Sequence, residues 1–347
     1  MHKLIAPEPD KVIVADVDPP AIGPDEVLVR SVRSLISPGS ELNRVRRLPG
    51  DTDDKWPNHD LGYAICGEVV DVGERVEGFA VGDRVATMQH HQQLVASPVQ
   101  PDSLKPTLKI PDGISWDEAP FILWGRSCWN WTMKAHIAPG ETVAVMGLGP
   151  VGLLMTMWAR LRGPARIIGL DRYPLRLDLG RRVGADEVVN ASDCDAVQAV
   201  LDLTRGRGAD CTLHCAAGAA VKAFEDSQRM TRTQGRVVLI GIHSEPLTIL
   251  RGEFLWKDLL GGCTDYNMDE SLFMAGADLI AQKRLPVMDI VTHNVPYTDA
   301  PAIYDLLNHR QGEAGAVLLR WDTQGLCSGD AVPTPPTRAA SAPSAWR

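Results

Sequence analysis

The glycine-rich stretch VAVMGLGPVGLLM places Gly147, Gly149 and Gly152 in a G-x-G-x-x-G spacing between an apolar run and a helical pattern. In a strand-to-helix turn, Gly147 permits the tight bend, and Gly149 leaves room for a pyrophosphate because it has no side chain. Gly152 lets the helix lie close to the sheet, and the helix N-terminus offers amide donors and a favourable dipole. The spacing predicts a dinucleotide-binding turn; the alternative is a tight turn without a ligand.

A carboxylate follows at the end of the next apolar run, where Asp171 closes ARIIGLD. A carboxylate at this place accepts hydrogen bonds from the adenosine ribose hydroxyls and repels a phosphate on that ribose. We therefore predict NAD as the cofactor, with NADP less favoured, although the adjacent Arg172 could soften the preference. The predicted cofactor site is completed by residues of the glycine-rich turn and of two later strand ends: Pro150, Val151, Ala216 and Gly241.

Two patterns of secondary structure divide the chain. The first 115 residues contain short Val-rich runs broken by Gly, Pro and Asp, among them KVIVADV, DEVLVRSVRSLI, GEVVDVG and GDRVAT. These runs predict strands of a small barrel or sandwich. From about residue 116, apolar strands such as TVAVMG, ARIIGLD and GRVVLIG alternate with helical stretches such as PVGLLMTMWARLR. Alternation of this kind is typical of βαβ units around a doubly wound parallel sheet.

Bulk composition sets the class of protein. At 347 residues, with 44% hydrophobic and 23% charged residues, the chain fits two globular domains. The net charge of -9 argues against a nucleic-acid partner, because phosphate binding needs an excess of basic residues. Without a long apolar run or a signal-peptide pattern, we expect no membrane association and a cytoplasmic location. The seven cysteines contain no C-x-x-C pair and are expected to be reduced packing residues.

The order of these motifs resembles the medium-chain dehydrogenase/reductase superfamily, which contains the zinc alcohol and polyol dehydrogenases and their metal-free relatives. The resemblance runs from about residue 5 to 321 and includes GEVVDVGERVEGFAVGDRVA, PGETVAVMGLGPVGLL, VGADEVVN and FLWKDLLGG. It implies an α/β protein with a GroES-like β-rich catalytic domain, residues 1–120 and 287–325, and a Rossmann domain, residues 121–286. It also implies a substrate cleft between the domains and a homo-oligomer, a dimer or tetramer. We expect the Pro- and Ala-rich tail, residues 326–347, to be mobile.

The metal site of the zinc-dependent members is where this sequence departs from the resemblance. The aligned ligand positions carry Pro38, Tyr63 and either Leu123 or Trp124. Zinc binds Cys sulfur, His nitrogen or carboxylate oxygen, and none of these side chains supplies one. The four-cysteine lobe of many relatives is missing as well, since ATMQHHQQLVASP contains no Cys. We therefore predict a zinc-independent member of the superfamily.

Without a metal, side chains must manage the proton of the alcohol and the charge on its oxygen. The resemblance places Ser40 where the zinc enzymes carry a proton-relay hydroxyl, with Glu41 beside it. Tyr63 takes a ligand position and would aim its phenol at the substrate. We predict that Tyr63 and Glu41 carry most of the proton chemistry and that Ser40 and Arg126 orient the substrate. His59, just before the aligned GYA, is a further candidate.

Two of these candidates lie in SPGSELNRVRRL and have structural alternatives. Ser40 could cap a helix that starts at Glu41, because Ser is a common N-cap residue. Glu41 could be a first-turn partner of the helix dipole, or could pair with Arg44 or Arg46.

The other candidates have alternatives too. Tyr63 could fill the space of the lost metal site, and Arg126 could bind the cofactor pyrophosphate or form a structural ion pair. His59 could be a surface residue. Because His90 and His91 are adjacent and point to opposite faces in extended backbone, at most one of them faces the cleft.

Three functions fit the sequence. The favoured function is an NAD-dependent oxidoreductase that oxidises a secondary alcohol, such as a polyol, sugar or cyclitol, to a ketone, or catalyses the reverse, without catalytic zinc. The alternative is a metal-free NAD(P)H-dependent ene or quinone reductase; a nucleotide-binding protein without catalysis is the third. Asp171 favours the first, and LISPGSEL and GYAICGEV look nearer to the polyol and hydroxyethyl-chlorophyllide dehydrogenase branch than to the quinone reductases.

Overall fold

A computed structural model describes residues 1–46, 56–99, 106–261 and 270–322, so the predicted mobile tail lies outside the described residues. The strands of this part of the chain are β1 (His2–Glu8), β2 (Lys11–Asp16), β3 (Glu26–Ile36), β4 (Ile65–Val72), β5 (Arg84–Thr87), β6 (Leu94–Pro98), β7 (Thr107–Lys109), β8 (Thr142–Met146), β9 (Arg166–Asp171), β10 (Glu187–Asn190), β11 (Ala209–His214), β12 (Thr231–Leu239), β13 (Asp258–Leu260), β14 (Val291–Pro296) and β15 (Ala316–Arg320). The helices are α1 (Pro38–Val45), α2 (Ile122–Ala135), α3 (Pro150–Leu161), α4 (Pro174–Arg182), α5 (Ala196–Leu203), α6 (Val221–Met230), α7 (Arg251–Phe254), α8 (Glu270–Ala281) and α9 (Ala300–His309). None of these described helices is long and apolar enough to cross a membrane.

A parallel sheet forms the central layer of the second half of the chain. Six described strands follow the order β10-β9-β8-β11-β12-β13, and each pairs in parallel with its neighbours. The central strands are almost fully buried, as expected for a parallel sheet covered by helices on both faces. The chain runs outward from β8 in both directions, so the order reverses between β8 and β11. This arrangement confirms the predicted doubly wound sheet and puts its ligand-binding crevice at the carboxyl ends of β8 and β11.

A second sheet, mostly antiparallel, forms the other half. Its described strands follow the order β14-β15-β3-β4-β5-β7, and β6 pairs with β3. The last strand, β15, pairs antiparallel with β3, for example Val317 with Ile36, so the end of the described chain returns to the N-terminal half. The fold is therefore a GroES-like β-rich half joined to a Rossmann half, as predicted.

Helix α2 connects the two halves and forms part of the wall between them. Its apolar residues belong to a buried cluster that also contains Leu35 and Cys66 from the β-rich half and Val143 from the parallel sheet. On its other side α2 packs against α8, where a Cβ on Gly125 would lie 3.2 Å from the Gly276 Cα. This glycine contact keeps α2 close to α8 and fixes the position of the α2 side chains that face the cleft.

Candidate active site

A cavity of about 1180 Å³ lies between the two halves of the molecule. One wall, which we call the nucleotide wall, consists of the glycine-rich turn after β8 and the loops after β9, β11 and β12. These segments lie at the carboxyl ends of the parallel strands. The other wall is α1, the turn around Tyr63, and one face of α2. The cavity therefore joins the ligand-binding edge of the parallel sheet to Pro38, Tyr63, Leu123 and Trp124, the residues that the resemblance aligns with metal-ligand positions.

The glycines of the nucleotide wall are required by close backbone contacts. Gly147 has a φ of +92°, and a Cβ there would lie 2.7 Å from the Ala216 nitrogen. A Cβ on Gly152 would lie 1.8 Å from the Gly147 oxygen, and one on Gly241 would lie 1.8 Å from the Ala216 oxygen. No side chain fits at such distances. All of the predicted cofactor residues line the cavity: Gly147, Gly149, Pro150, Val151, Gly152, Asp171, Arg172, Ala216 and Gly241.

Asp171 lies at the end of β9, and its carboxylate is held by backbone amides. Oδ2 accepts from the Leu148 N–H at 2.7 Å, while Oδ1 accepts from the amides of Arg172 at 2.7 Å and Tyr173 at 3.1 Å. The sequence interpretation missed Arg176, whose Nη1 lies 3.9 Å from Asp171 Oδ2 and faces the same cavity. Its position five residues after Asp171, in the first turns of α4, was the available signal.

Three hydroxyl groups form a network on the opposite wall. The Tyr63 hydroxyl donates to Ser37 Oγ at 2.8 Å, and Ser40 Oγ donates to the same atom at 2.8 Å. Burial raises the pKa of Tyr63 to about 12, while its hydrogen bonds to Ser37 and Ser40 act in the opposite direction. The phenol therefore keeps its proton at neutral pH and is suited to donate a hydrogen bond.

Ser37 was not among the predicted site residues. The capping alternative for Ser40 starts the helix at Glu41, whereas α1 begins at Pro38 with Ser37 as its N-cap residue, and Ser40 lies inside the helix. Pro at the first helical position is the signal that marks this earlier start. Ser37, Ser40 and Tyr63 all line the cavity.

The position of Glu41 does not support its predicted part in the proton chemistry. Its carboxylate is fully buried and does not line the cavity. Oε1 accepts from the Ser37 N–H at 2.6 Å, and Oε2 accepts from the Tyr304 hydroxyl and lies 3.2 Å from His91 Nε2. Glu41 therefore supports the start of α1 from behind the cavity wall, and it does not pair with Arg44 or Arg46 as the alternative interpretation suggested.

The histidines near this wall occupy different environments. His59 is exposed and does not line the cavity, so its proposed catalytic role is not supported by its position. His91 is buried against Glu41, whereas His90 lines the cavity, with Nδ1 3.0 Å from the Gly62 oxygen and Nε2 3.3 Å from Asp60 Oδ1. At most one of the adjacent pair faces the cleft, as expected.

Arg126 lies on α2, is buried, and lines the cavity. Its guanidinium lies over the Phe273 ring at 5.3 Å from the ring centre, a cation–π contact with α8. The contact to the ring holds the side chain at the wall, a position that is compatible with the predicted role of orienting the substrate.

The residues at the aligned metal positions do not fit zinc. Tyr63 and Trp124 stack with ring centres 6.5 Å apart and an angle of 28° between the planes, and Pro38 and Leu123 line the same part of the cavity. These groups offer one neutral phenol and no thiolate, imidazole or carboxylate. Within the described ranges, no group of three or more His, Cys, Asp or Glu residues is arranged to hold a metal ion.

Fold and site together define a two-domain protein with a nucleotide-binding crevice that faces a separate wall of polar and aromatic side chains. Comparison with protein-family models is consistent with this class. Residues 23–102 match the model described as alcohol dehydrogenase GroES-like domain, and residues 150–262 match the one described as zinc-binding dehydrogenase. Together the two matches cover more than half of the chain. The chain belongs to the medium-chain dehydrogenase/reductase superfamily.

Individual relatives agree with this assignment over most of the chain. An alcohol dehydrogenase of Cupriavidus necator is 28% identical over 370 aligned residues, covering 90% of this chain and 96% of the relative. An L-threonine 3-dehydrogenase of Pectobacterium carotovorum is 26% identical, with 89% and 95% covered. Among solved structures, an alcohol dehydrogenase from Thermus sp. ATN1 superposes with a TM-score of 0.78 at 25% identity, covering 92% of this chain and 99% of that one.

Proposed function

We propose that the protein is an NAD-dependent oxidoreductase that interconverts a secondary alcohol and a ketone without catalytic zinc. The observation that carries the proposal is the Tyr63, Ser37 and Ser40 hydroxyl network, which faces the nucleotide wall from the place where the zinc relatives hold their metal ligands. The relatives named as alcohol and threonine dehydrogenases support an alcohol as the substrate.

The hydroxyl network supplies the proton chemistry in this proposal. A bound nicotinamide accepts or supplies the hydride. In the direction of reduction, the Tyr63 phenol donates its proton to the carbonyl oxygen as the carbinol C–H bond forms, and Ser37 and Ser40 relay a proton from solvent back to Tyr63. In the direction of oxidation the same protons move the opposite way. A phenol with a pKa of about 12 is still more acidic than an alcohol, so the proton transfer to the developing alkoxide is favourable.

NAD is the proposed cofactor because of Asp171. Both oxygens of its carboxylate accept hydrogen bonds from backbone amides, and these bonds fix the carboxylate at the end of β9. In this fold, the ribose hydroxyls of a bound dinucleotide lie at this place. A phosphate on that ribose would meet this negative charge. Arg172 and Arg176 line the same part of the cavity and reduce the repulsion, so we propose a preference for NAD and not an exclusion of NADP.

A polyol, sugar or cyclitol substrate calls for a mainly polar site around the reacting group. The described wall on the side of α1, the Tyr63 turn and α2 also contains five large apolar residues, and these are Leu42, Met88, Leu123, Trp124 and Trp131. Such side chains favour a substrate with an apolar part. We therefore propose a secondary alcohol as the reacting group and include polyols as one arm of the test.

The test is turnover of purified protein with NAD and a panel of secondary alcohols, and with NADH and the matching ketones, followed by absorbance of the reduced cofactor. Elemental analysis and dialysis against a chelator accompany it. We expect turnover that survives the chelator and much less than one zinc per chain. Reduction of enones or quinones with NADPH, and no alcohol oxidation, would instead support the reductase alternative; cofactor binding without any turnover would support a non-catalytic protein.

A further inference from the structure

The described carboxylates around the cavity are confined to one of its two walls, although basic residues line both walls. The carboxylates among the described lining residues all belong to the nucleotide half: Asp171, Asp195 and Asp226. The lining residues of α1, of its C-cap position and of α2 contribute guanidinium groups and no carboxylate: Arg44, Arg46 and Arg126. The whole chain has a net charge of -9, so this wall has the opposite sign to the molecule as a whole. A positive wall in a cleft concentrates field lines and attracts an anion.

The phase of α1 connects the basic residues to the hydroxyl network. Ser37, Ser40 and Arg44 are spaced by three and then four residues, which places them on one face of the helix, and all three line the cavity. Glu41 and Val45 are buried away from the cavity, whereas the third buried residue of α1, Leu42, lines it. Along the helix axis, Arg44 lies roughly 6 Å beyond Ser40, at a rise of 1.5 Å per residue. Arg46 follows as the C-cap residue of α1, in extended backbone.

Both guanidinium groups are held by neutral oxygens. Arg44 Nη1 donates to the backbone oxygen of Asp60. Arg46 Nε donates to Asn308 Oδ1 at 2.6 Å, and its Nη2 donates to the Asn308 backbone oxygen at 3.3 Å. In the part of the chain that the structure describes, neither arginine forms an ion pair with a carboxylate. The side chain of Asp60, whose backbone oxygen binds Arg44, has its carboxylate 3.3 Å from His90 Nε2. The hydrogen bonds orient the two groups without cancelling their charge.

We propose that Arg44 and Arg46 form a subsite for an anionic group, a carboxylate or a phosphate, on the alcohol substrate. The proposal rests on the proposed alcohol and ketone chemistry and adds a substrate class to it. The carbinol or carbonyl carbon lies at Tyr63, and the anion binds one to two turns further along α1. The apolar part between them contacts the wall that contains Met88 and Trp124. Arginine suits this role because its planar fork binds both anions through paired hydrogen bonds.

The kinetic test uses methyl ketone carboxylates of increasing chain length, their methyl esters, and the corresponding ketone phosphates, all with NADH. We expect kcat/KM for the best carboxylate or phosphate to exceed that of its neutral counterpart by about tenfold to a hundredfold, the range of a charge-assisted contact. The chain length of the best substrate measures the span from Tyr63 to the subsite. Equal values for acids and esters at every length would overturn the proposal.

Variants locate the effect. Arg44→Gln and Arg46→Gln should raise KM for the anionic substrates and leave their kcat within about twofold of the parent. The kcat/KM for the methyl esters should also stay within about twofold. The dependence of KM for the anionic substrates on salt concentration should become weaker. Arg181→Gln is the matched control, because Arg181 is an exposed arginine on α4 outside the cavity lining. Loss of ester and acid turnover to the same extent in the cavity variants, or an equal effect of the control, would contradict an anion subsite.

A binding measurement separates this proposal from the proposed function. Calorimetry of the protein with NADH and a methyl ketone carboxylate does not require turnover. Binding that is lost in Arg44→Gln but kept in Arg181→Gln supports the subsite even if no ketone is reduced, in which case the proposed reaction fails alone. Turnover of neutral ketones without any preference for anions overturns the subsite and keeps the reaction.

Discussion

Tyr63 is the residue on which the proposed reaction depends most. Tyr63→Phe keeps the ring that stacks on Trp124 and removes only the hydroxyl that donates to Ser37. We expect turnover to fall by on the order of 10² to 10⁴, the usual contribution of a positioned proton donor, with the Kd for NADH unchanged. Steady-state kinetics and cofactor titration measure the two quantities. Turnover within about threefold of the parent would mean that the proton moves through His90 or solvent.

The pKa of Tyr63 adds a pH signature to this prediction. Because burial raises that pKa to about 12, the phenol stays protonated across the working range. The kcat for reduction should therefore show no downward step between pH 6 and 9 that belongs to Tyr63. Tyr63→Phe should lower the whole profile without moving an inflection; a new or shifted inflection would point to a different titrating group.

Asp171, on the nucleotide wall, is the residue that we expect to set the preference for NADH over NADPH. Asp171→Asn keeps an oxygen for the Leu148 amide and removes the negative charge. The ratio of Kd values, NADPH over NADH, should exceed one in the parent and fall by about tenfold or more in the variant, since a like charge no longer faces the phosphate. Fluorescence titration of both cofactors gives the ratio. An unchanged ratio would show that the charge of Asp171 does not set the preference.

The roles of the glycines in the glycine-rich turn could be predicted from the sequence, because each role belongs to the turn itself. Gly152, for instance, meets the oxygen of Gly147 five residues earlier. Glu41 could not be placed in this way: its partners His91 and Tyr304 lie 50 and 263 residues away along the chain. Only the assembled fold shows that Glu41 faces these groups while its neighbour Ser40 faces the cavity.

At the scale of elements, a histidine pair joins the two loops that follow β11 and β12. His214 ends β11 with Nδ1 2.9 Å from Ser227 Oγ and Nε2 3.1 Å from His243 Nε2. The residues next to the pair, Cys215 to Gly218 and Gly241, line the nucleotide wall. The pair therefore holds two cavity loops together, and neither the spacing of the histidines nor their sequence context predicted it.

Burial of this pair makes stability depend on pH. Burial lowers the pKa of His214 from 6.5 to about 3 and lowers the pKa of His243 in the same direction. Below pH 6.5 the unfolded chain takes up protons that the folded protein does not, so the free energy of unfolding should fall as the pH falls from 7 towards 5. The slope approaches about 1.4 kcal/mol per pH unit for His214, and His243 adds to it in the same direction.

Urea unfolding at a series of pH values measures this slope. His214→Gln removes the most strongly shifted group, so its unfolding midpoint should vary less between pH 7 and 5 than that of the parent. His309→Gln is the control, because His309 is an exposed residue at the end of α9. Parallel curves for the parent and His214→Gln would contradict the assignment.

At the scale of the whole molecule, the order of elements was predictable and the joining of distant segments was not. Val-rich runs and alternating strands and helices are local patterns, and β3, β8 and β9 lie where those patterns put them. That β15 returns to β3 followed only from the family resemblance, since pairing of Val317 with Ile36 leaves no periodic signal in either strand. The same limit applies to the cavity, which exists only between the assembled halves.

The outer edge of the parallel sheet has a surface suited to a second copy of the chain. Among the described strands, β13 is the last on this side. Large apolar side chains are exposed on and around α7 beside it, with 56% of Ile249, 61% of Leu255 and 63% of Trp256 accessible to solvent. A group of exposed apolar residues next to an unpaired strand edge is typical of an interface. We therefore expect a homo-oligomer that buries this apolar edge cluster, Ile249, Phe254, Leu255 and Trp256.

Light scattering after size-exclusion chromatography tests this expectation. The parent should elute as a dimer or a larger even assembly, and Trp256→Glu should shift it towards the monomer, because a carboxylate buried without a partner in the interface is costly. Met133→Glu, which changes an exposed apolar residue on α2 outside the cluster, should leave the assembly unchanged. A monomeric parent at micromolar concentration would contradict the interface, and an unchanged assembly in Trp256→Glu would place it on a different face of the molecule.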